Sequence, residues 1–256
     1  MTRMTGMTEE KPMSTMSMTR TRLLFATVAA VSLLSACGGG GGSGGGATPT
    51  PPPPPPPAVL CTAGTTNPAP AANAPQVTLT LSNGVGVNGD VLLTLDSARA
   101  PITVANFLRY VNAGFYDGTV FHRNSPGFVL QGGGYAGPLV AGSPNPTEKP
   151  TNAQITLEDN AGLSNICLTV AMARLTSPDT ASSQFFVNLA TNTGLDRSTT
   201  AGVTTRGYAV FGSVTSGNPV LTAAINANCT AWPGFLGTGE CLPNPNITIT
   251  RARQTR

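Results

Sequence analysis

Phe115-Tyr-Asp-Gly-Thr-Val-Phe-His-Arg-Asn-Ser-Pro-Gly-Phe-Val-Leu-Gln-Gly-Gly-Gly134 holds the chain's single histidine, an arginine inside an apolar strand pattern, three phenylalanines and a glutamine. Asp117-Gly118 and Pro126-Gly127 are turn dipeptides. Between and after them, Thr119–Arg123 and Phe128–Gly132 are short and apolar enough to be strands. Strand, turn, strand presenting Arg123, Phe128 and Gln131 on one surface makes a pocket with an apolar floor, a permanent cation and an amide. Such a site suits a peptide better than a phosphate.

Working upstream, Gln76–Leu81 alternates polar and apolar, Asn83-Gly84 and Asn88-Gly89 mark turns, and Val91–Leu95 is a second strand of the hairpin. Gly84-Val-Gly86-Val-Asn-Gly89 fits the dinucleotide pattern G-x-G-x-x-G, but it opens a strand, where a phosphate would need a helix N-terminus. Pro101–Ala113 carries Val104, Phe107, Leu108 and Val111 at helical spacing, with Thr103 placed to cap the start and Gly114 to end it. Downstream, Ile155–Glu158, Leu168–Ala173, Gln184–Asn188, Tyr208–Ser213 and Ile247–Arg251 are further strand candidates. Asn218-Pro219 starts a helix with Leu221, Ala224 and Ile225 as its buried stripe. The pattern predicts a β-dominated domain over residues 76–256, an eight-stranded antiparallel closed barrel capped by two α-helices.

The N-terminal part has a different composition. Arg20 and Arg22 precede the apolar run Leu23–Leu34, which ends in Leu34-Ser35-Ala36-Cys37. That run is too short to span a membrane and ends in small residues, so residues 1–36 are expected to be a signal peptide whose start site is open among Met1, Met16 and Met18. The small residues before Cys37 resemble a lipoprotein cleavage box, in which the cysteine is acylated; absence of Asp after Cys37 resembles outer-membrane sorting. Residues 37–75, glycine-rich and then carrying the seven prolines Pro51–Pro57, are expected to be a disordered linker. The expected location is the bacterial cell envelope, lipid-anchored through Cys37 and facing the periplasm, at the outer membrane.

After Cys37 the chain has ten Lys and Arg against nine Asp and Glu, so no basic footprint for nucleic acid remains. Cys61, Cys167, Cys229 and Cys241 are an even set in a chain expected to meet an oxidising compartment. Cys229 and Cys241 bracket one loop and pair first, leaving Cys61 for Cys167. No cysteine pair has zinc spacing, and no metal site is expected.

The motifs, taken in order, resemble one family. Ala100-Pro101-x-Thr103-Val104-x-Asn106-Phe107, Gly114-Phe115-Tyr116-Asp117-Gly118-Thr119, Phe121-His122-Arg123 and Gly127-Phe128-x-x-Gln131-Gly132-Gly133 are followed by Ala171-Met172-Ala173-Arg174, Ser183-Gln184-Phe185-Phe186 and Ala209-Val210-Phe211-Gly212. Together they resemble the cyclophilins, peptidyl-prolyl cis-trans isomerases, in their bacterial exported branch. The resemblance implies Arg123 as the catalytic arginine, acting with Phe128 and Gln131. It implies a proline pocket of Phe128, Val129, Phe186, Leu195 and Tyr208, and an adjoining groove of Ala173, Arg174 and Gln184. It implies no cofactor; the expected partners are proline-containing, unfolded or partly folded exported polypeptides, and the expected state is a monomer. A peptide-binding or chaperone module with little turnover is the alternative. Phe121, Phe185 and Phe211 are expected in the core, and His122 is expected to be structural through hydrogen bonds.

Overall fold

Buried and half-buried residues alternate along Gln76–Ser82 (β1), which puts Val77, Leu79 and Leu81 on one face. The tight turn after it returns the chain as β2 (Asn88–Leu95), so the G-x-G-x-x-G segment is a hairpin turn. The computed structural model describes residues 57–256 apart from 63, 65 and 145. The expected signal peptide, Cys37 and the linker as far as residue 56 lie outside the described residues.

The remaining elements are α1 (Pro101–Asn112), β3 (Thr119–Ser125), β4 (Val129–Ala136), β5 (Thr169–Met172), β6 (Phe185–Asn188), β7 (Ser198–Thr200), β8 (Val203–Thr205), β9 (Val210–Ser216), α2 (Asn218–Ile225), β10 (Cys229–Ala231), β11 (Cys241–Pro243) and β12 (Ile247–Gln254). Eight of the strands run β3-β12-β1-β2-β9-β5-β6-β4, all antiparallel, and β4 pairs back onto β3 to close a barrel. Closure leaves no edge among these eight strands. The interior is packed by Phe121, Phe185 and Phe211 from three strands, as expected, and by Tyr116 and Phe107. Phe107 lies 5.4 Å from Phe185 edge-on, so α1 seals the barrel through an aromatic cluster. Leu221, Ala224 and Ile225 of α2 are buried in the same core.

Several expectations need correction. Ile155–Glu158 is not a strand; only Ile155 bridges, to Ala181, and Leu157 N–H donates to Asp179 Oδ1 at 2.8 Å. Thr103 does not cap α1, because the helix begins at Pro101 and Thr103 already lies inside it. Its N–H and hydroxyl both donate to Glu158 Oε2 at 2.7 Å, and Ile102 N–H donates to Glu158 Oε1 at 3.1 Å. A carboxylate from a distant loop therefore does the capping, at the positive end of the helix dipole. Two short hairpins, β7–β8 and β10–β11, were not expected; three-residue strands carry too little periodicity to be visible.

The described residues from Ala58 to Pro75, expected as linker, are attached to the barrel at several points. Ala58 N–H donates to Asn226 Oδ1 at 2.7 Å, Asn67 exchanges two 2.9 Å hydrogen bonds with Ser164, and Ala74 is buried. Ala58 and Leu60 pack on the core, and Cys61 is joined to Cys167. Cys229 is joined to Cys241, the pairing expected from their spacing. The sequence separations are 106 and 12 residues, so loop entropy alone would assign about 4.7 and about 3 kcal/mol to the two bridges. The longer closure contributes more, and it is the one that straps the N-terminal segment to the barrel.

Replacing Glu158 with alanine strips the first turn of α1 of its external acceptor. Urea unfolding of Glu158→Ala is expected to show a loss of about 1–2 kcal/mol with an unchanged m-value.

Candidate active site

Arg123 owes its direction to a bulge. Phe121 pairs with Gly132 and Arg123 with Gln131, so two steps along β3 match one step along β4 and His122 is the extra residue. Without the bulge, Arg123 would point into the barrel with Phe121, since residues two apart share a face. With it, Phe121 stays in the core and Arg123 emerges on the outer surface.

From there a row runs across the outside of the barrel. Arg123 pairs with Gln131, Gln131 with Phe186, Phe186 with Ala171, and Ala171 with Val210. The row begins with a cation, passes an amide and continues apolar. Val129, Ala171, Phe186 and Val210 form a buried outer cluster, joined by Phe128, Leu163, Ala173, Leu195 and Tyr208. All five residues expected to line the proline pocket are thus brought together. Phe186 and Tyr208 meet edge-on at 5.6 Å. Phe128 follows the turn at Pro126-Gly127, and its carbonyl accepts from Leu189 N–H at 2.8 Å and Asn192 Nδ2 at 2.9 Å. Leu195 ends a short 3-10 turn, and its carbonyl accepts from Tyr208 N–H at 2.9 Å.

The polar end is a chain of side chains. Arg123 Nη1 donates to Gln131 Oε1 at 2.9 Å, and Gln131 Nε2 donates to Gln184 Oε1 at 2.9 Å. Gln184 Nε2 in turn donates to Glu148, which also accepts from Tyr135 Oη at 3.2 Å. On its other side, Arg123 Nη2 donates to Glu240 Oε1. Both amides are thereby oriented: each presents its oxygen toward the arginine side and its NH2 toward Glu148. A Cβ at Gly134 would come within 2.7 Å of Gln184, so the glycine lets that side chain lie across β4 and reach Gln131.

Beyond Gln131 lies a groove of about 220 Å³ whose walls include Glu148, Ala173, Arg174 and Gln184. Arg174 is committed to the wall itself. Its guanidinium donates to the carbonyls of Gly207, Arg206, Leu175 and Thr176 at 2.7–3.1 Å and covers the Tyr208 ring at 4.7 Å. Asp159 secures the same segment from below, accepting from Arg206 Nε and Nη2 and from Gly207 N–H, each at 2.8 Å. Burial works against the charged carboxylate, but the hydrogen bonds from Arg206 and Gly207 outweigh it and hold the pKa below its ordinary value.

His122 is buried in the wall, held by its packing and by a backbone hydrogen bond with Val120. Its Nδ1 has no partner, and its ring packs edge-on against Tyr135 at 4.7 Å and near Phe235 at 6.3 Å. Burial first, then the neighbouring Arg123 charge, push the imidazole down to about 3, so it is neutral and a poor base. Among the described residues no group of three His, Cys, Asp or Glu side chains is placed to hold a metal ion. Glu148 and Glu240 were missed by sequence reasoning. They lie in loops without periodicity, and only the nearby cysteine in Glu240-Cys241 hinted that its loop is tied down.

Comparison with known proteins identifies the family. A family model described as "Cyclophilin type peptidyl-prolyl cis-trans isomerase/CLD" matches residues 77–253. "Peptidyl-prolyl cis-trans isomerase A" of Dickeya dadantii is 43% identical over 150 residues, 59% of this chain and 70% of that protein. "Peptidyl-prolyl cis-trans isomerase B" of Escherichia coli is 40% identical over 134 residues, 52% of this chain and 77% of that protein. The crystal structure of a cyclophilin-type isomerase from Cryptosporidium parvum superposes with a TM-score of 0.54 at 21% identity, over 72% of this chain and 98% of that one.

A carboxylate whose folded pKa lies below its unfolded value contributes stability that is full above about pH 4 and is lost as pH falls through the folded value. Asp159→Asn should therefore lower the urea midpoint at pH 7, with the gap to wild type narrowing as pH drops below about 4.

Proposed function

The chain belongs to the cyclophilin-type peptidyl-prolyl cis-trans isomerase family, and from that membership we propose how its own residues carry the reaction and where it acts. Rotation about an X-Pro bond is opposed by amide resonance, and unaided it takes tens of seconds or longer. The barrier falls when the prolyl nitrogen keeps its lone pair to itself. The proline ring docks on Phe128, Val129, Phe186, Leu195 and Tyr208, which holds the prolyl side still while the acyl side turns. A guanidinium N–H of Arg123 donates to the prolyl nitrogen as it becomes pyramidal. That contact is stronger in the twisted state than in the planar one, which is the condition for acceleration.

Gln131 keeps one amide N–H beyond the one given to Gln184, and this donates to the substrate carbonyl oxygen. Ala173 and Gln184 border the adjoining groove and receive the residues preceding proline, with Arg174 forming part of its wall and giving four of its five N–H groups to carbonyls. No nucleophile or base is required. The observation that carries this reading is the cross-strand row that sets a cation and an amide beside an apolar pocket on the barrel's outer face.

The substrates are exported polypeptides, met in the bacterial cell envelope. Supporting this are the signal-like run before Cys37, the acylation pattern at that cysteine, and two disulfides that require an oxidising compartment. The protein works as a monomer held at the membrane by its lipid.

Exchange NMR on an Ala-Pro peptide tests the reading. Wild type should give cis–trans exchange cross-peaks, and Arg123→Ala should lower kcat/KM by about 10²–10³-fold. Peptide shift changes without exchange, in wild type, would leave only a binding module.

A further inference from the structure

The active-site arginine is held from two sides, and only one of those holds comes from the barrel. Gln131 on β4 accepts from Nη1; the other partner, Glu240, arrives on the loop between β10 and β11. We infer that Glu240 is a positioning residue for Arg123, and that the disulfide-closed segment Cys229–Cys241 is built to deliver it. The inference rests on the catalytic reading of Arg123 given above.

Four independent contacts fix the carboxylate. Cys241, the next residue, pairs in antiparallel register with Asn124, the residue after Arg123, so backbone hydrogen bonding carries Glu240 alongside β3. The bridge Cys229–Cys241 closes the loop behind it. Within the loop, Trp232 is buried and packs tilted against Phe235 with ring centres 4.5 Å apart, and Phe235 packs 5.6 Å from Tyr135 on the barrel. Finally, Glu240 Oε2 accepts from Gly237 N–H at 2.9 Å while Oε1 faces Arg123. A Cβ on Gly237 would sit 3.1 Å from that oxygen, so this close approach leaves little space for any side chain there.

With one oxygen tied to its own loop, the carboxylate cannot follow the guanidinium; the guanidinium must align to it. Arg123 and Glu240 side chains are 24% and 16% exposed, a partly desolvated setting in which such a pair is less screened than on an open surface. Glu240 and Gln131 together take one N–H from each terminal nitrogen. The guanidinium has five, so three remain for substrate. The cost of ordering a long, rotamer-rich side chain is thus met by the fold before substrate arrives, and the benefit falls on the chemical step rather than on binding.

The test is steady-state and exchange kinetics on full-length wild type, Glu240→Ala, Glu240→Gln, Arg123→Ala and the Arg123→Ala/Glu240→Ala pair. Glu240→Ala is expected to lower kcat by about tenfold with KM changed less than about twofold, and Glu240→Gln, which keeps an acceptor oxygen, to recover most of that loss. In the Arg123→Ala background, removing Glu240 should cost nothing further, since its effect runs through the arginine. The Arg123 Nε–H resonance, sharp in wild type, should broaden in Glu240→Ala. A kcat for Glu240→Ala at or above the wild-type value would overturn the inference while leaving the catalytic reading of Arg123 intact. So would an equal loss in the Arg123→Ala background, which would mark Glu240 as a generic support of the fold. An Arg123→Ala enzyme as fast as wild type would instead remove the catalytic reading, and with it this inference.

Discussion

One residue too many in β3 is the constraint on which the rest of the site depends. The barrel wall needs Phe121 inside, where it packs edge-on with Phe185 at 5.9 Å. The outer surface needs the cation two residues later. A regular strand cannot satisfy both, and the bulge at His122 does so by spending one residue on the turn outward. That residue is then left outside with a polar ring, and Tyr135 and Phe235 cover it. The neutral imidazole is a consequence of the covering, and the loop that supplies Phe235 also supplies Glu240. Geometry at one backbone position thus sets the chemistry at two side chains.

The outer cluster and the inner core use adjacent residues of the same strands. Phe185 faces the core and Phe186 the outer cluster; Leu130 and Val129, Met172 and Ala171, and Phe211 and Val210 divide in the same way. A strand buried on both faces reads as a continuous apolar run, which is how β4, β5, β6 and β9 look. The pocket floor is therefore the back of the core wall, and it inherits the rigidity of packing on both sides.

Much of this was legible from residues alone. The strands with strong alternation or bounded apolar runs lie within a few residues of their expected limits, as do both helices. Arg123, Phe128 and Gln131 do share a surface. What could not be read was anything decided by long-range partnership. The bulge leaves no signature in Phe121-His122-Arg123, the cap of α1 comes from Glu158 some 55 residues away, and Glu148 and Glu240 sit in loops where spacing carries no period. Arg174 shows the opposite limit: a motif can place a residue beside a groove and still not say that four of its five N–H donors are already given to carbonyls. Residues 58–75 look like linker by composition, yet one cysteine and a few polar side chains hold them to the barrel.

That strap also has a mechanical meaning. A pull on the chain from upstream of Cys61 passes through the Cys61–Cys167 bond to the residue two before β5, in the barrel wall, instead of running along the backbone to Gln76. The backbone from Cys61 to Gln76 lies inside the covalent loop, so its own hydrogen bonds to the barrel, such as those of Asn67 with Ser164, are spared the load. Strand β1, whose hydrogen bonds to β2 and β12 would otherwise open one after another like a zipper, is taken out of the force path. Force from that side enters the fold at the loop before β5, so the barrel is not peeled open from its first strand.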